Sequence, residues 1–336
     1  MLAASPELTI NKLPKSLHPL SVAPMMDRTD RHCRYFLRQI SRRTLLYTEM
    51  VTSMAILNGD RQKLLGFDRS EHPLALQIGG DKPQDLAKCA QIAAEFGYDE
   101  VNLNVGCPSS RVQSGNFGAC LMLQPEHVAE CIAAMIVATK LPVTIKHRIG
   151  VDEVDNYEAL ARFVSIVSQT GCQRFSVHAR KAWLQGLSPK ENREIPPLRY
   201  DLVHQLKQDF PQLLIEINGG FTSLEQVQTQ LEVVDAVMIG RAAYDNPYLL
   251  ADVDREIYGE STPIPSRDQI ATAMLPYIDD WITSGGRLNS ITRHMLQLFH
   301  GQPGSRIWRR IITEQSVLLG AGTEVIERAL SRSTQE

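Results

Sequence analysis

From residue 20 onward, apolar and polar positions follow two periods that take turns along the chain. Short apolar runs fall at 20–24, 45–50, 74–78, 100–105, 143–147, 174–178, 213–218 and 236–240. Between them apolar residues recur at helical spacing, as Leu86, Ala90, Ile92 and Ala93 do within 83–96 and Val128, Cys131, Ile132 and Met135 do within 125–139. Strands that alternate with helices pair in parallel through right-handed crossovers. Eight such units over about 230 residues predict a (β/α)8 TIM barrel, whose usual length is about 250 residues. A doubly wound open sheet is the alternative. After 246–247 the rhythm changes, and beyond 261–266 the pattern is helical only. The expected organisation is a loose extension over 1–19, a barrel over 20–255 and a small all-helical domain over 256–336.

In a barrel, active sites lie at the carboxyl ends of the strands, so what each run ends in matters. The first ends in Pro24-Met25-Met26-Asp27, the third in Gln77-Ile78-Gly79-Gly80 and the fifth in Lys146-His147-Arg148. The sixth ends in His178-Ala179-Arg180, the seventh in Asn218-Gly219-Gly220 and the eighth in Gly240-Arg241. One such ending is an ordinary strand-to-helix turn; this many polar and glycine endings on one rim mark a site. The loops after strands seven and eight form the usual phosphate site of this fold, where Gly219, Gly220 and Gly240 let the backbone approach an anion and Arg241 adds a fork of donors. Lys146 is a cation at the mouth of a hydrophobic barrel and needs an anionic partner, which a reduced flavin would supply. The chain has no GxGxxG, so a mononucleotide flavin fits better than a dinucleotide unit.

The fourth run ends in a thiol. Val101, Leu103 and Val105 alternate with Asn102 and Asn104, then Gly106 and Pro108 stop the strand and set Cys107 on a turn. A lone cysteine is more often a small buried hydrophobe. Here it is followed by a loop rich in Ser, Gly and Asn, suited to a mobile lid.

Composition narrows the class. The net charge of −3 gives no global basic signal, so a nucleic-acid partner needs a local patch. The cysteines form no CxxC pair and the histidines no cluster, which points to reduced thiols, a cytoplasmic protein and no metal site. No apolar run approaches a membrane span, and residues 1–20 lack the pattern of a secretory signal. A local basic patch does occur: residues 285–313 hold Arg287, Arg293, Arg306, Arg309 and Arg310 and no acid. Arg306 and Arg309 are adjacent on one helix face. The long connection after strand six adds Arg180, Lys181, Lys190, Arg193 and Arg199.

These segments resemble the tRNA-dihydrouridine synthases, specifically their A subfamily. The resemblance is carried by APMMDRTDRHCRYFLR at 23–38, LALQIGG at 74–80, VNLNVGCPSSRVQSGNFGACLM at 101–122 and IKHRIG at 145–150. It continues in SVHARKAWLQGLSPKENREIPPLRY at 176–200, EINGG at 216–220 and MIGRAAYDNP at 238–247. It implies reduction of the uracil C5–C6 bond at tRNA positions 20 and 20a, with FMN as cofactor and NADPH or NADH as reductant. Residue by residue, it implies that Pro24, Met25, Met26, Gln77, Lys146, His178, Asn218, Gly219, Gly220, Gly240 and Arg241 hold FMN. Cys107 would be the catalytic acid, since hydride delivery to C6 leaves carbanion character at C5 that an acid must quench. Asn104, Lys190, Arg193, Arg306 and Arg309 would contact tRNA. The resemblance implies no stable protein partner. Two other readings compete: a small-molecule flavin reductase of the dihydropyrimidine type, which needs no arginine face, and a non-catalytic RNA-binding protein, which leaves Cys107, Lys146 and His178 without purpose.

Overall fold

The computed structural model describes residues 18–333, so the expected extension over 1–19 lies almost wholly outside the described residues. Eight parallel strands close into a barrel: β1 (Leu20–Val22), β2 (Leu45–Tyr47), β3 (Leu74–Gly79), β4 (Glu100–Val105), β5 (Val143–Arg148), β6 (Arg174–His178), β7 (Leu214–Asn218) and β8 (Ala236–Ile239). Each pairs with its neighbours in sequence, and β1 closes the ring onto β8 through Leu20↔Val237 and Val22↔Ile239. The open-sheet alternative is thereby ruled out. A two-residue strand, Val51–Thr52, pairs in parallel with the end of β3 on the edge that β2 occupies, so it resumes the second strand of the ring beyond the expected end at 50. The expected helices run Pro83–Phe96 and Pro125–Ala138, each with Pro in the first turn, where its missing N–H costs nothing. The first stops at Gly97, whose φ of 86° suits glycine.

The two faces of the barrel wall differ. Outward positions such as Leu46, Leu76, Leu103, Ile145, Val177 and Ile217 are fully buried against the helices in one large apolar core. Inward, only Ala23, Leu45, Tyr47, Ala75 and Met238 form an apolar cluster. The remaining inward positions are largely polar, and they are what positions the site.

Beyond β8 the chain is helical: Arg267–Ala273, Leu275–Thr283, Leu288–Thr292, Ser305–Gln315 and Glu324–Ser333. Trp308 is fully buried among them and its indole donates to Met295 O at 3.0 Å. Asp30 ties this region to the barrel. It caps helix Arg31–Arg38 and accepts from Arg293 at 2.5 Å and from His294, while Tyr277 stacks on Tyr35. Burial pushes the Asp30 carboxyl up, but hydrogen bonds and charge from His294, the Cys33 N–H and Arg293 outweigh it and hold the group well below the usual range. No described helix is long and apolar enough to cross a membrane.

Candidate active site

The strand ends bring most of the expected residues to one mouth. Pro24, Met25 and Met26 follow β1 in a turn that Thr29 closes, its hydroxyl bonding both Met25 N and Met25 O. Gln77 on β3 accepts from Asn104 on β4 at 2.8 Å. Asn104 Oδ1 in turn accepts from the N–H groups of Gly106 and Cys107, at 3.2 and 3.0 Å. Cys107 is half-buried, and its thiol donates to Ser109 Oγ at 3.5 Å.

Across the mouth, Lys146 Nζ donates to Asn218 Oδ1 at 3.3 Å, and Asn218 donates to Met238 O. Burial first, then the nearby Arg148, lowers Lys146 to about 8. His178 is held neutral, well below its ordinary value, by burial and by the positive charge of Arg148 and Lys146. Gly219 and Gly220 take φ values of 132° and 80°, and a Cβ on either would come within 2.7 Å of Leu198. Only glycine fits that turn. Gly240 leads into the short helix Arg241–Asp245, and Arg241 pairs with Glu194 at 2.6 Å.

The family model described as Dihydrouridine synthase (Dus) matches residues 21–334. The chain belongs to the dihydrouridine synthase family. It is 64% identical over 315 residues to the tRNA-dihydrouridine(20/20a) synthase of Synechocystis sp., covering 94% of each chain. It is 60% identical to that of Shewanella oneidensis (92% of each chain) and 56% identical to that of Escherichia coli K12 (92% of this chain, 90% of the relative). Among solved structures, its fold is similar to the old yellow enzyme homologue of Zymomonas mobilis (TM-score 0.52, 13% identity, 73% of this chain and 89% of the other). Morphinone reductase in complex with tetrahydroNAD is also similar (TM-score 0.50, 15% identity, 75% and 90%).

Among the residues expected on the tRNA side of this synthase-family chain, Lys190, Arg193, Arg306 and Arg309 are exposed. Arg306, Arg309 and Arg310 line a shallow depression on helix Ser305–Gln315, apart from the barrel mouth. The basic run is not one face, however. Arg293, though exposed, is engaged by Asp30, and Arg287 donates to Val317 O. Asn104 is also unlike the others, being only 8% exposed and already satisfied by Gln77 and the Cys107 turn.

Two residues at this site escaped the sequence reading. Arg148 is buried and donates to Gly106 O, Lys181 O and Asn192 O, joining the Cys107 turn to the long connection after β6. Asn192 braces that connection from within, accepting from Trp183 N and donating to Trp183 O. The Cys107 loop is braced as well: it forms the short helix Ser110–Gln113, and Gln113 donates to Pro108 O and Leu184 O. Arg148 stood among the strand endings, but nothing in its neighbours shows that it folds back onto three carbonyls.

Proposed function

We propose that this chain is a cytoplasmic enzyme that reduces uridine to 5,6-dihydrouridine at positions 20 and 20a of tRNA, with FMN as cofactor and NADPH or NADH as reductant. Relatives sharing 56–64% of its residues bear that activity in their names, which supports the substrate. The observation that carries the reading is the mouth itself. A thiol shares one rim with a half-buried lysine that has no ion pair among the described residues and with a turn whose positive φ values call for glycine.

Such a mouth fits the cofactor. Pro24, Met25, Met26, Gln77, Lys146 and His178 would hold the ring system, the neutral imidazole being free to donate or accept. Asn218, Gly219, Gly220, Gly240 and Arg241 would hold the phosphate. When bound and reduced, the flavin supplies hydride to uracil C6. Cys107 then delivers its Sγ proton to C5: the S–H bond breaks as the C5–H bond forms, and solvent returns the proton. Arg148, which donates to Gly106 O at 2.9 Å, would hold the turn that carries the thiol.

The target base has to leave its stack to enter, at a cost of a few kcal/mol that protein contacts offset. Lys190, Arg193, Arg306 and Arg309 would supply them at phosphates, where much of nucleic-acid affinity arises. Asn104, being buried, reaches only a base already inside the mouth.

The test is mass spectrometry of unmodified tRNA incubated with protein, FMN and NADPH. A gain of two hydrogens on a D-loop fragment is expected; no gain while NADPH is oxidised makes the chain a small-molecule reductase. In Cys107→Ala, flavin reduction should persist while dihydrouridine formation falls by about a hundredfold or more, the usual contribution of a general acid. Undiminished product formation removes Cys107 from the acid role.

A further inference from the structure

One continuous line of side chains runs through the barrel interior from the Cys107 turn to the floor, and every member donates in the same direction. Cys107 N–H donates to Asn104 Oδ1 at 3.0 Å; Asn104 Nδ2 donates to Gln77 Oε1 at 2.8 Å; Gln77 Nε2 donates to Asn102 Oδ1 at 2.8 Å. Asn102 Nδ2 donates to Thr144 Oγ1 at 2.8 Å, and the Thr144 hydroxyl donates to Glu100 Oε1 at 2.6 Å. Tyr47 donates to the same Glu100 oxygen at 2.7 Å. Asn102, Thr144, Gln77 and Glu100 are all buried.

Each of the three amides has two possible orientations, which exchange its donor and acceptor ends. Here the upper end of the line cannot reverse, and the lower end agrees with it. At the top, two backbone N–H groups can only donate, so Asn104 has to present its oxygen to them. At the floor, a carboxyl oxygen receives two hydroxyls, so Thr144 is left with an acceptor to offer Asn102. Turning any one amide would set donor against donor or acceptor against acceptor among buried side chains, where each unmade hydrogen bond costs about 1–3 kcal/mol.

We infer that Glu100 and Thr144, on the barrel floor and its first rung, are positioning residues for Cys107, acting through the fixed orientations of Asn102, Gln77 and Asn104. The register supplies this line: Gln77 lies beside Asn102, Asn102 beside Thr144 and Asn104 beside Lys146. Neither Glu100 nor Thr144 is placed in contact with cofactor or tRNA. The effect on turnover rests on the reading of Cys107 as proton donor, but the effect on the thiol itself does not.

The test breaks the line at Thr144. Thr144→Val keeps the shape and removes the hydroxyl; Thr144→Ser keeps the hydroxyl. Two quantities are followed on the FMN-loaded protein: the rate at which iodoacetamide alkylates Cys107, and kcat and KM for dihydrouridine formation on unmodified tRNA. T144V should change the alkylation rate at least threefold and lower kcat about tenfold with KM for tRNA unchanged, since displaced reacting groups lower turnover rather than binding. T144S should restore both. Thr144→Ala, which removes the same hydroxyl without adding apolar bulk, replaces T144V if that variant does not fold.

An alkylation rate in T144V equal to that of the wild type overturns the inference, whatever happens to activity. Damage in T144S equal to that in T144V also overturns it, because packing would then be the cause. Altered alkylation with kcat untouched leaves the positioning line standing and removes Cys107 as the proton donor.

Discussion

Buried cations stand at both ends of this barrel, and the protein treats them in opposite ways. At the floor, Arg174 meets Glu216 at 2.8 Å, and Glu216 also accepts from Ser21 and Ser176. Burial pulls the guanidinium down, but Glu216, Tyr47 and Glu100 outweigh it, so the charge is secured. At the mouth, Lys146 and Arg148 meet only neutral oxygens: one side-chain amide and three backbone carbonyls. Burial lowers Lys146 to about 8 and Arg148 to about 10. The floor is complete in itself, whereas the mouth holds positive charge in need of an anion. On the proposed function, the one serves stability and the other would serve a ligand.

Breaking the floor should have the largest effect. Arg174→Met leaves Glu216 and Glu100 buried without their cation, and removing one partner of a buried pair costs about 3–5 kcal/mol. Urea unfolding followed by circular dichroism should show a loss of that size. A loss below about 1 kcal/mol would place the floor charges in contact with water and remove the contrast between the two ends.

The same change at the mouth should act the other way. Lys146→Met removes a charge that the empty fold holds at a cost, so the cofactor-free protein should keep or gain stability. FMN affinity should fall about ten- to hundredfold, the range for losing a charge-assisted hydrogen bond. The pH dependence has a defined sign. Below about pH 8 both folded and unfolded chains carry the Lys146 proton, and its burial penalty is fully present. Between about 8 and the ordinary lysine value of 10.5, the unfolded chain binds the extra proton, so this group makes stability rise with pH. FMN affinity should fall over that same interval as the ammonium is lost. Melting curves of the cofactor-free protein and FMN titrations either side of pH 8 check both slopes, and K146M should lose both. A wild-type FMN affinity equal on the two sides would mean that Lys146 does not meet an anion there.

How much of this contrast the sequence revealed depends on which face of each strand is read. Outward positions are continuous Leu, Ile and Val against helices, so all eight barrel strands were legible. The first two come out shorter than expected, Leu20–Val22 and Leu45–Tyr47, and the second resumes its pairing with β3 at Val51–Thr52. Val51–Thr52 is too short to show a period. Residue types at the mouth were legible because they sit at strand ends. Inward polar positions were not: Asn102 reads as the polar half of an alternation, while its partners Gln77 and Thr144 lie 25 and 42 residues away and meet it only through strand register. For the same reason Asn104 reads as an available contact and Arg293 as part of a basic face, when one faces the barrel interior and the other is held by Asp30.

The smallest expected effect lies at the rim, where Arg241 resembles the floor more than the mouth. Its partner Glu194 is 2.6 Å away, yet the two side chains are 42% and 43% exposed, and pairs in water contribute about 0–1 kcal/mol. Glu194→Ala should therefore change stability by no more than that amount. If the guanidinium serves the FMN phosphate, removing the competing carboxylate should tighten FMN about threefold, a gain within the same range. Riboflavin, which has the ring system without the phosphate, provides the control, and its affinity should not move. Equal tightening of both ligands would assign the effect to the ring site. Weaker FMN binding would make Glu194 the residue that aims Arg241, and the rim pair would then belong with the mouth as part of the ligand site.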